Sequence, residues 1–137
     1  MAKFTGGCLC GKIKYSAEAD PIFMGVCHCT DCQRTTGSAF EPVIAIPEPS
    51  LTVQGSSKTF TSKGDSGQPI HRIFCPDCSS NLMSRADIMQ GVVMLTTGTL
   101  DDNSMFKPSM QIYCDSAQHW VHLGGGIKAF PKMPGPG

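Results

Sequence analysis

Three cysteines lie close together in the stretch Cys27-His28-Cys29-Thr30-Asp31-Cys32. Their thiols can converge on one soft metal ion without ligands from distant parts of the chain, which indicates a metal site. A structural zinc site is normally closed by four protein ligands, whereas a catalytic one keeps a position free for water or substrate. Because only three local cysteines are available, this triplet predicts an open site.

Four more cysteines form two short pairs, Cys8-Leu9-Cys10 and Cys75-Pro76-Asp77-Cys78. Residues two apart on a strand lie roughly 6.5–7 Å apart, so chelation by the first pair needs a local bend, which its flanking glycines allow. The second pair has the knuckle spacing of zinc ribbons, where proline presets the turn. Together the two pairs can make one closed four-thiolate site.

The spacing leaves a second grouping open, in which Cys29 and Cys32 join Cys75 and Cys78 as a zinc ribbon. Positions 33 to 74 separate the two pairs, which is 42 residues. That gap exceeds the roughly 15–20 residues usual for the ribbon pattern. The spacing therefore favours the grouping of Cys8 and Cys10 with Cys75 and Cys78 without excluding the ribbon.

The length and charge of the chain narrow its function class. A chain of 137 residues is enough for one domain, predicted over 1–130, with a flexible proline- and glycine-rich tail at 131–137. Eleven basic and eleven acidic residues, without a block of like charge, predict that nucleic acid and anionic membranes are not partners.

The expected compartment decides how the cysteines are interpreted. The first residues lack the apolar core of a signal peptide, and no apolar run approaches the roughly 20 residues of a membrane span. We therefore expect a cytoplasmic protein. Cytosolic thiols are kept reduced, so clustered cysteines there indicate metal ligands rather than disulfides.

Strand signals dominate the secondary-structure pattern. Short segments rich in β-branched and aromatic residues are bounded by Gly, Pro, Ser and Asp. The strands predicted in this way are Lys12–Tyr15, Ile22–Val26, Val43–Ile46, Leu51–Val53, Lys58–Thr61, Ile70–Cys75, Val92–Thr97, Met110–Cys114 and His119–Leu123. One short helix is predicted from an N-cap near Asp31 to Gly37. The pattern is that of a mainly all-β fold.

Three side chains beside the triplet invite a functional interpretation. His28 lies between two ligands, but adjacent side chains diverge, so it is predicted as a hydrogen-bond donor to a ligand rather than as a ligand. Arg34 is a candidate for holding a substrate carboxylate, and a solvated arginine at the helix end explains it equally well. Asp31 is predicted first as a helix cap and only second as a proton shuttle.

Several other residues are predicted to be structural. Cys114, within a predicted strand, is expected to be a small buried hydrophobe. His71, His119 and His122 have no sequence neighbours that would complete a metal or catalytic cluster. The methionines expected to fill the core are Met83, Met89, Met94, Met105 and Met110.

The motifs and their order resemble the glutathione-dependent formaldehyde-activating enzymes, whose domain also occurs in centromere protein V. The motifs that carry the resemblance are Gly6-Gly7-Cys8-Leu9-Cys10-Gly11, Cys27-His28-Cys29-Thr30-Asp31-Cys32-Gln33-Arg34 with Gly37, Phe74-Cys75-Pro76-Asp77-Cys78, Gly98-Thr99-Leu100-Asp101-Asp102, and Ile112-Tyr113-Cys114-Asp115-Ser116 with Trp120. They cover nearly the whole chain.

The resemblance implies two Zn²⁺ ions per chain and settles the ligand grouping. It places a structural zinc at Cys8, Cys10, Cys75 and Cys78, and a catalytic zinc at Cys27, Cys29 and Cys32. The implied fold consists of several coiled antiparallel sheets around the structural zinc, with at most one or two helical turns. That fold is similar to methionine sulfoxide reductase B and to a small guanine-nucleotide-exchange chaperone.

Two positions depart from the family pattern. Ser79 stands where glycine usually follows the second knuckle cysteine, and Cys114 stands where valine is common. A left-handed backbone at Ser79 would cost about 1 kcal/mol.

The implied activity is that of a carbon–sulfur lyase resembling S-(hydroxymethyl)glutathione synthase. Such an enzyme joins or splits a small thiol, such as glutathione, and an aldehyde, such as formaldehyde. A thiol at the free position of a three-thiolate zinc site loses its proton well below its usual pKa of about 8.5. The alternatives are a non-catalytic zinc-stapled protein-binding module, and two structural sites in which a fourth ligand from elsewhere closes the triplet.

Overall fold

The computed structural model describes residues 1–134 as eleven strands and one α-helix. Three short 3-10 turns complete the regular structure of this range. The helix α1 spans Thr30–Thr36. The strands are β1 (Ala2–Gly7), β2 (Lys14–Ala19), β3 (Phe23–Cys27), β4 (Glu41–Pro47), β5 (Leu51–Gln54), β6 (Lys58–Lys63), β7 (Pro69–Phe74), β8 (Asn81–Ala86), β9 (Val92–Thr96), β10 (Met110–Ile112) and β11 (Lys128–Ala129).

The strands form two open sheets, which confirms the prediction of a mainly all-β fold. A small sheet has the order β1-β2-β5, and a large sheet has the order β11-β10-β3-β4-β9-β8-β7-β6. Every pairing is antiparallel except that β10 runs parallel to both β3 and β11. The parallel strand β10 brings the segment after Ile112 beside the end of β3, where Cys27 lies.

The hydrophobic core lies between the two sheets. Side chains alternate between the faces of a strand, and one face of the large sheet packs on the small sheet. Phe4, Ile13 and Tyr15 from the small-sheet side meet Ile44 and Leu95 of the large sheet in this core. Each fully buried side chain of this size contributes roughly 1.5–3 kcal/mol to stability. The core thus occupies the face of the large sheet that points toward the small sheet. The opposite face of the large sheet is left free for a site.

Three strands were not predicted, and one predicted strand was wrong. The residues of β1, β8 and β11 carry no strong strand signal, since they include few β-branched side chains, and these strands are recruited by pairing. His119–Leu123 is irregular, and the Val121 N–H donates to the Gln118 carbonyl within a turn. No strand of the described chain pairs with this segment, so its sequence pattern does not produce a strand.

The carboxyl-terminal part runs back along the segment that follows β10. The Cys114 N–H donates to the Phe130 carbonyl at 3.0 Å, and the Tyr113 N–H donates to the Lys132 carbonyl at 3.2 Å. The predicted flexible tail, 131–137, therefore begins with hydrogen-bonded residues, and its last three positions lie outside the described residues. Within residues 1–134, no helix has the length and apolar character that crossing a bilayer requires.

Candidate metal centres and the adjoining cavity

The four paired cysteines meet at one point. Cys8 and Cys10 follow β1, Cys75 and Cys78 follow β7, and their four sulfurs all lie within 4.8 Å of one another. The Sγ–Sγ distance is 3.6 Å between Cys8 and Cys10 and 3.8 Å between Cys10 and Cys75. A tetrahedral zinc with bonds of about 2.3 Å separates its sulfurs by about 3.8 Å. The donor set and its spacing fit a metal ion at this point.

A local turn orients the side chains of Cys8 and Cys10 toward the other two cysteines. The bend expected from the glycines is present, because Gly11 has a φ of 81° and its N–H donates to the Cys8 carbonyl at 3.1 Å. The Ile13 N–H in turn donates to Cys8 Sγ at 3.3 Å. Hydrogen bonds of this kind stabilise a thiolate, so the turn both orients the sulfur and favours its metal-binding form.

The second pair is held by a left-handed residue. Ser79 has a φ of 66°, and its N–H donates to the Cys75 carbonyl at 2.9 Å. The hydroxyl of Ser80 accepts the Leu9 N–H at 3.0 Å and lies 3.2 Å from Cys78 Sγ, so it joins the two loops. Hydrogen bonds from this hydroxyl and from backbone N–H groups lower the pKa of Cys78 to about 5.

The triplet forms a second centre at the junction of β3 and α1. Cys27 ends β3, Cys29 is the N-cap of α1, and Cys32 lies in its first turn, with all three sulfurs within 4.8 Å. Asp31 is in the first turn, so its prediction as the N-cap was wrong. The cap is Cys29, because its sulfur accepts the Cys32 N–H at 3.2 Å.

The three thiols shift one another's acidity in opposite directions. The thiols of Cys27 and Cys32, together with the Cys32 N–H, lower the pKa of Cys29 to about 2. The Cys29 thiol raises the pKa of Cys27 to about 12, and its neighbours also raise the pKa of Cys32. One thiol of the triplet therefore ionises easily, and its negative charge disfavours ionisation of the other two. A bound cation would remove this repulsion and stabilise all three thiolates.

The triplet has no fourth ligand among the described residues. The group of ligand atoms that lie close enough to share an ion contains only the three cysteines. His28 is buried, and its Nε2 lies 2.9 Å from Gln111 Oε1, so it neither joins the group nor donates to a cysteine. The prediction of a donor to a ligand was wrong, because Nε2 is hydrogen-bonded to Gln111 and the buried Nδ1 has no hydrogen-bond partner.

A cavity of about 530 Å³ opens beside the triplet, on the outer face of the large sheet. This volume is within the range of small-molecule sites. None of the four paired cysteines lines it. Its apolar side chains include Phe23, Val43, Ile70, Ile88, Met89 and Met94. Met89 and Met94 thus serve the cavity rather than the core, whereas Met83 is a core residue as expected.

Two buried charged residues in the cavity wall were not predicted. Glu41 is 3% exposed, stands opposite Cys27 in the β3–β4 register, and accepts a hydrogen bond of 3.4 Å from Thr96. Burial raises the pKa of its carboxyl group. Arg72, on β7, is 7% exposed. The sequence signal that could have identified Arg72 is its charge inside the predicted strand Ile70–Cys75, because charged residues are uncommon in buried strands.

Tyr113 contributes to the wall from the segment after β10. It has a φ of 55°, an unusual value for a non-glycine residue, and its hydroxyl donates to Asp65 at 3.3 Å. Burial and the Asp65 carboxylate raise the pKa of Tyr113 to about 12, so the phenol stays protonated near neutral pH. Such backbone strain persists where the surroundings fix it, often at functional sites.

Other predicted residues lie elsewhere or behave differently. Arg34 is exposed and does not line the cavity, which supports the solvated alternative. Cys114 is not in a strand but begins a 3-10 turn and is only partly buried, so its prediction as a buried hydrophobe was wrong. His71 has partners that sequence spacing did not reveal, since its ring nitrogens lie 2.9 Å from Thr61 Oγ1 and 2.8 Å from Asp87 Oδ1.

Comparison with known proteins decides the family. The family described as "Glutathione-dependent formaldehyde-activating enzyme" matches residues 3–116 of the chain. The chain belongs to this family. The matched range contains both cysteine clusters and the buried residues Glu41 and Arg72, so the sites described above are within the family's domain.

Two proteins similar to this family member are informative. A protein of Emericella nidulans, whose name assigns it provisionally to the glutathione-dependent formaldehyde-activating enzymes, is 27% identical over 90 residues. The match covers 62% of this chain and 45% of that protein, so the chain spans less than half of the curated relative. A crystal structure of a Rhodobacter sphaeroides protein has the same fold, with a TM-score of 0.57, 16% identity, and coverage of 71% of this chain and 87% of that one.

Proposed function

We propose that the protein is a zinc-dependent carbon–sulfur lyase that joins or splits a small thiol and an aldehyde such as formaldehyde. The observation that carries the proposal is the triplet of Cys27, Cys29 and Cys32, which lacks a fourth ligand among the described residues and lines a cavity. The four-cysteine cluster, which lies away from the cavity, is assigned to a structural zinc.

The cysteines are assigned to zinc because of their chemistry and setting. Tetrahedral sites of sulfur ligands are typical of zinc, and all eight cysteines of the chain are free thiols. Reduced, clustered thiols fit a cytoplasmic protein, where glutathione is also available. When bound by three thiolates, zinc supplies one free position at which a substrate thiol ionises and becomes nucleophilic.

The chain's own residues hold and shape the reacting groups. Pairing of β3 with β4 and β10 fixes Cys27, and the helix cap fixes Cys29 relative to Cys32. In the joining direction, the thiol sulfur bonds to the aldehyde carbon while the thiol proton passes to the aldehyde oxygen; splitting reverses both transfers. The apolar side chains of the cavity limit competing water around these groups.

Exchange of labelled formaldehyde with glutathione tests the proposal. Nuclear magnetic resonance exchange rates between free aldehyde and hydroxymethyl adduct should be faster with zinc-loaded protein than without it. Cys29→Ser should reduce this rate to the uncatalysed background, whereas the matched variant Cys114→Ser, outside both clusters, should keep it. A folded wild type with two metals and no acceleration with glutathione or other small thiols would refute the lyase and favour a zinc-stapled binding module.

A further inference from the structure

The guanidinium of Arg72 is a buried cation with few partners. The residue is 7% exposed, and Nη1 donates to Ser62 Oγ at 3.0 Å. Within residues 1–134, Ser62 is the one hydrogen-bond partner of this side chain, and none of the ion pairs includes it. A guanidinium has five N–H donors, and a buried charge is costly unless it is paired. The arrangement leaves donors for a ligand.

The sheet register places Arg72 on the floor of the cavity. Arg72 is opposite Ser84 of β8, which is opposite Met94 of β9, and all three line the cavity. The three cysteines of the triplet line the same cavity. A small molecule with its sulfur at the triplet therefore has this cation within the same cavity.

Among the described residues, no other charged group of the cavity offers a buried, unpaired cation to a ligand, as Arg72 does. Glu41 lies in the same wall, but its carboxylate is not within 4.0 Å of the guanidinium and bonds to Thr96 instead. Lys63 and Lys132 are exposed at the rim, and Lys132 pairs with Asp115 at 3.7 Å. Solvated lysines contribute little to recognition, whereas a desolvated guanidinium binds strongly.

We propose that Arg72 positions the substrate by binding a carboxylate of the thiol, so that the cavity selects carboxylated thiols over neutral and cationic ones. The planar guanidinium fork matches a carboxylate with two parallel hydrogen bonds, which a lysine cannot provide. This inference rests on the proposed function, because it places the thiol's sulfur at the triplet.

Calorimetric titration of zinc-loaded protein with three thiols of similar length tests the selection. Mercaptopropionate carries a carboxylate, mercaptopropanol is neutral, and cysteamine is cationic. Wild type should bind mercaptopropionate at least about tenfold more tightly than either of the others, a difference of about 1.4 kcal/mol. This comparison needs no variant, so it holds even if a substitution at Arg72 impairs folding.

Two substitutions and one control assign the preference to Arg72. Arg72→Gln should remove the preference for mercaptopropionate and leave mercaptopropanol affinity unchanged, while Arg72→Lys should retain only part of it. Arg34→Gln removes an exposed arginine beside the triplet and should retain the full preference. Circular dichroism and zinc content of each variant report whether the fold is intact.

The outcomes separate this inference from the proposed function. Equal affinities for the three thiols, or a preference that survives in folded Arg72→Gln, would overturn the role of Arg72 and leave the lyase intact. Loss of exchange activity in Arg72→Gln with its thiol preference unchanged would also overturn it, since the guanidinium would then act on the aldehyde side. Failure of every thiol to bind would contradict the proposed function itself.

Discussion

Cys29 combines two tasks in a single side chain. Its sulfur belongs to the triplet and also accepts the Cys32 N–H at 3.2 Å as the N-cap of α1. The hydrogen bond from the Cys32 N–H to the Cys29 sulfur orients both cysteines before any ion binds. It also stabilises the thiolate form of Cys29. This preorganisation explains how three ligands from six residues remain close together without a fourth.

Substitution of Cys29 should remove one metal and leave the other. Wild type is expected to carry two zinc ions per chain, and Cys29→Ser one, because the four-cysteine cluster shares no ligand with the triplet. Elemental analysis of purified protein measures both values. Cys114→Ser, a cysteine outside both clusters, should keep two zinc ions. A reproducible value of one zinc in wild type would contradict the two-site account.

The protein should be more stable with glycine than with serine at position 79. The φ of 66° at Ser79 lies in the left-handed region, where a Cβ atom costs about 1 kcal/mol or somewhat more. Ser79→Gly should therefore raise the free energy of unfolding by about 1 kcal/mol in urea titrations. Ser56→Gly, at an exposed residue without positive φ, should instead be neutral or destabilising. A Ser79→Gly variant less stable than wild type would contradict this explanation.

Residues differ in how far the sequence reveals their roles. Ligand spacing is local, so the order and spacing of the cysteines are enough to predict the two clusters that could each hold a metal ion. Glu41 and Arg72 line the same cavity only when β4 and β7 take their places in the large sheet, with β9 and β8 between them. Their burial depends on those pairings, which no short motif encodes. For the same reason, Arg34 is the arginine that sequence proximity to the triplet favours, although Arg72 is the one in the cavity wall.

At the scale of elements, α1 is a short helix that depends on its ends. It has seven residues, and Gly37 ends it with a left-handed φ of 63°. No atom lies within 4 Å of a Cβ added at Gly37, so the cost of a side chain there is conformational. Because isolated helices of this length are unstable, capping decides whether Cys32 stays in place.

Gly37→Ala should destabilise the protein without removing its metal ligands. The left-handed backbone predicts a loss of about 1 kcal/mol in the free energy of unfolding. Gly98→Ala is the matched control, because an added Cβ there also meets no atom within 4 Å but the φ is not positive. Chemical denaturation of both variants measures the difference. Equal stabilities would show that Gly37 is not needed as a cap.

Strand prediction succeeded where residue type and pairing agree. Val43–Ile46 and Val92–Thr97 are recognisable because their β-branched residues lie in central, buried strands, β4 and β9. By contrast, β8 contains Leu82, Met83 and Ser84 and forms because β7 and β9 flank it. The segment His119–Leu123 is the opposite case, since it has a plausible strand pattern but pairs with no strand of residues 1–134. Tertiary context decided both cases.

At the scale of the whole molecule, the four-cysteine cluster joins the two sheets. Cys8 and Cys10 follow β1 of the small sheet, and Cys75 and Cys78 follow β7 of the large sheet. Cys10 and Cys75 are 65 residues apart in sequence. The Lys12–Asp77 ion pair, at 3.1 Å, spans the same junction but is exposed and contributes little. An ion held by these four cysteines would therefore couple metal binding to folding.

Cys78→Ser should leave little folded protein. Structural zinc binds with roughly 10–16 kcal/mol in zinc-finger peptides, which is comparable to the entire stability of a small domain. Thermal melts and soluble yield are the measurements, with Cys114→Ser as the control. A Cys78→Ser variant as heat-resistant as wild type would mean that the two pairs do not share a metal.

In the function proposed here, the four-cysteine metal site is closed and the triplet site is open to a thiol. Cobalt makes this visible, because thiolate ligands give sulfur-to-metal charge-transfer bands. In cobalt-substituted protein, glutathione should change the band of the triplet, and Cys29→Ser should abolish that response while the band of the four-cysteine site remains. If saturating glutathione and several other small thiols leave the spectrum of wild type unchanged, the triplet has no exchangeable position and the catalytic account is contradicted.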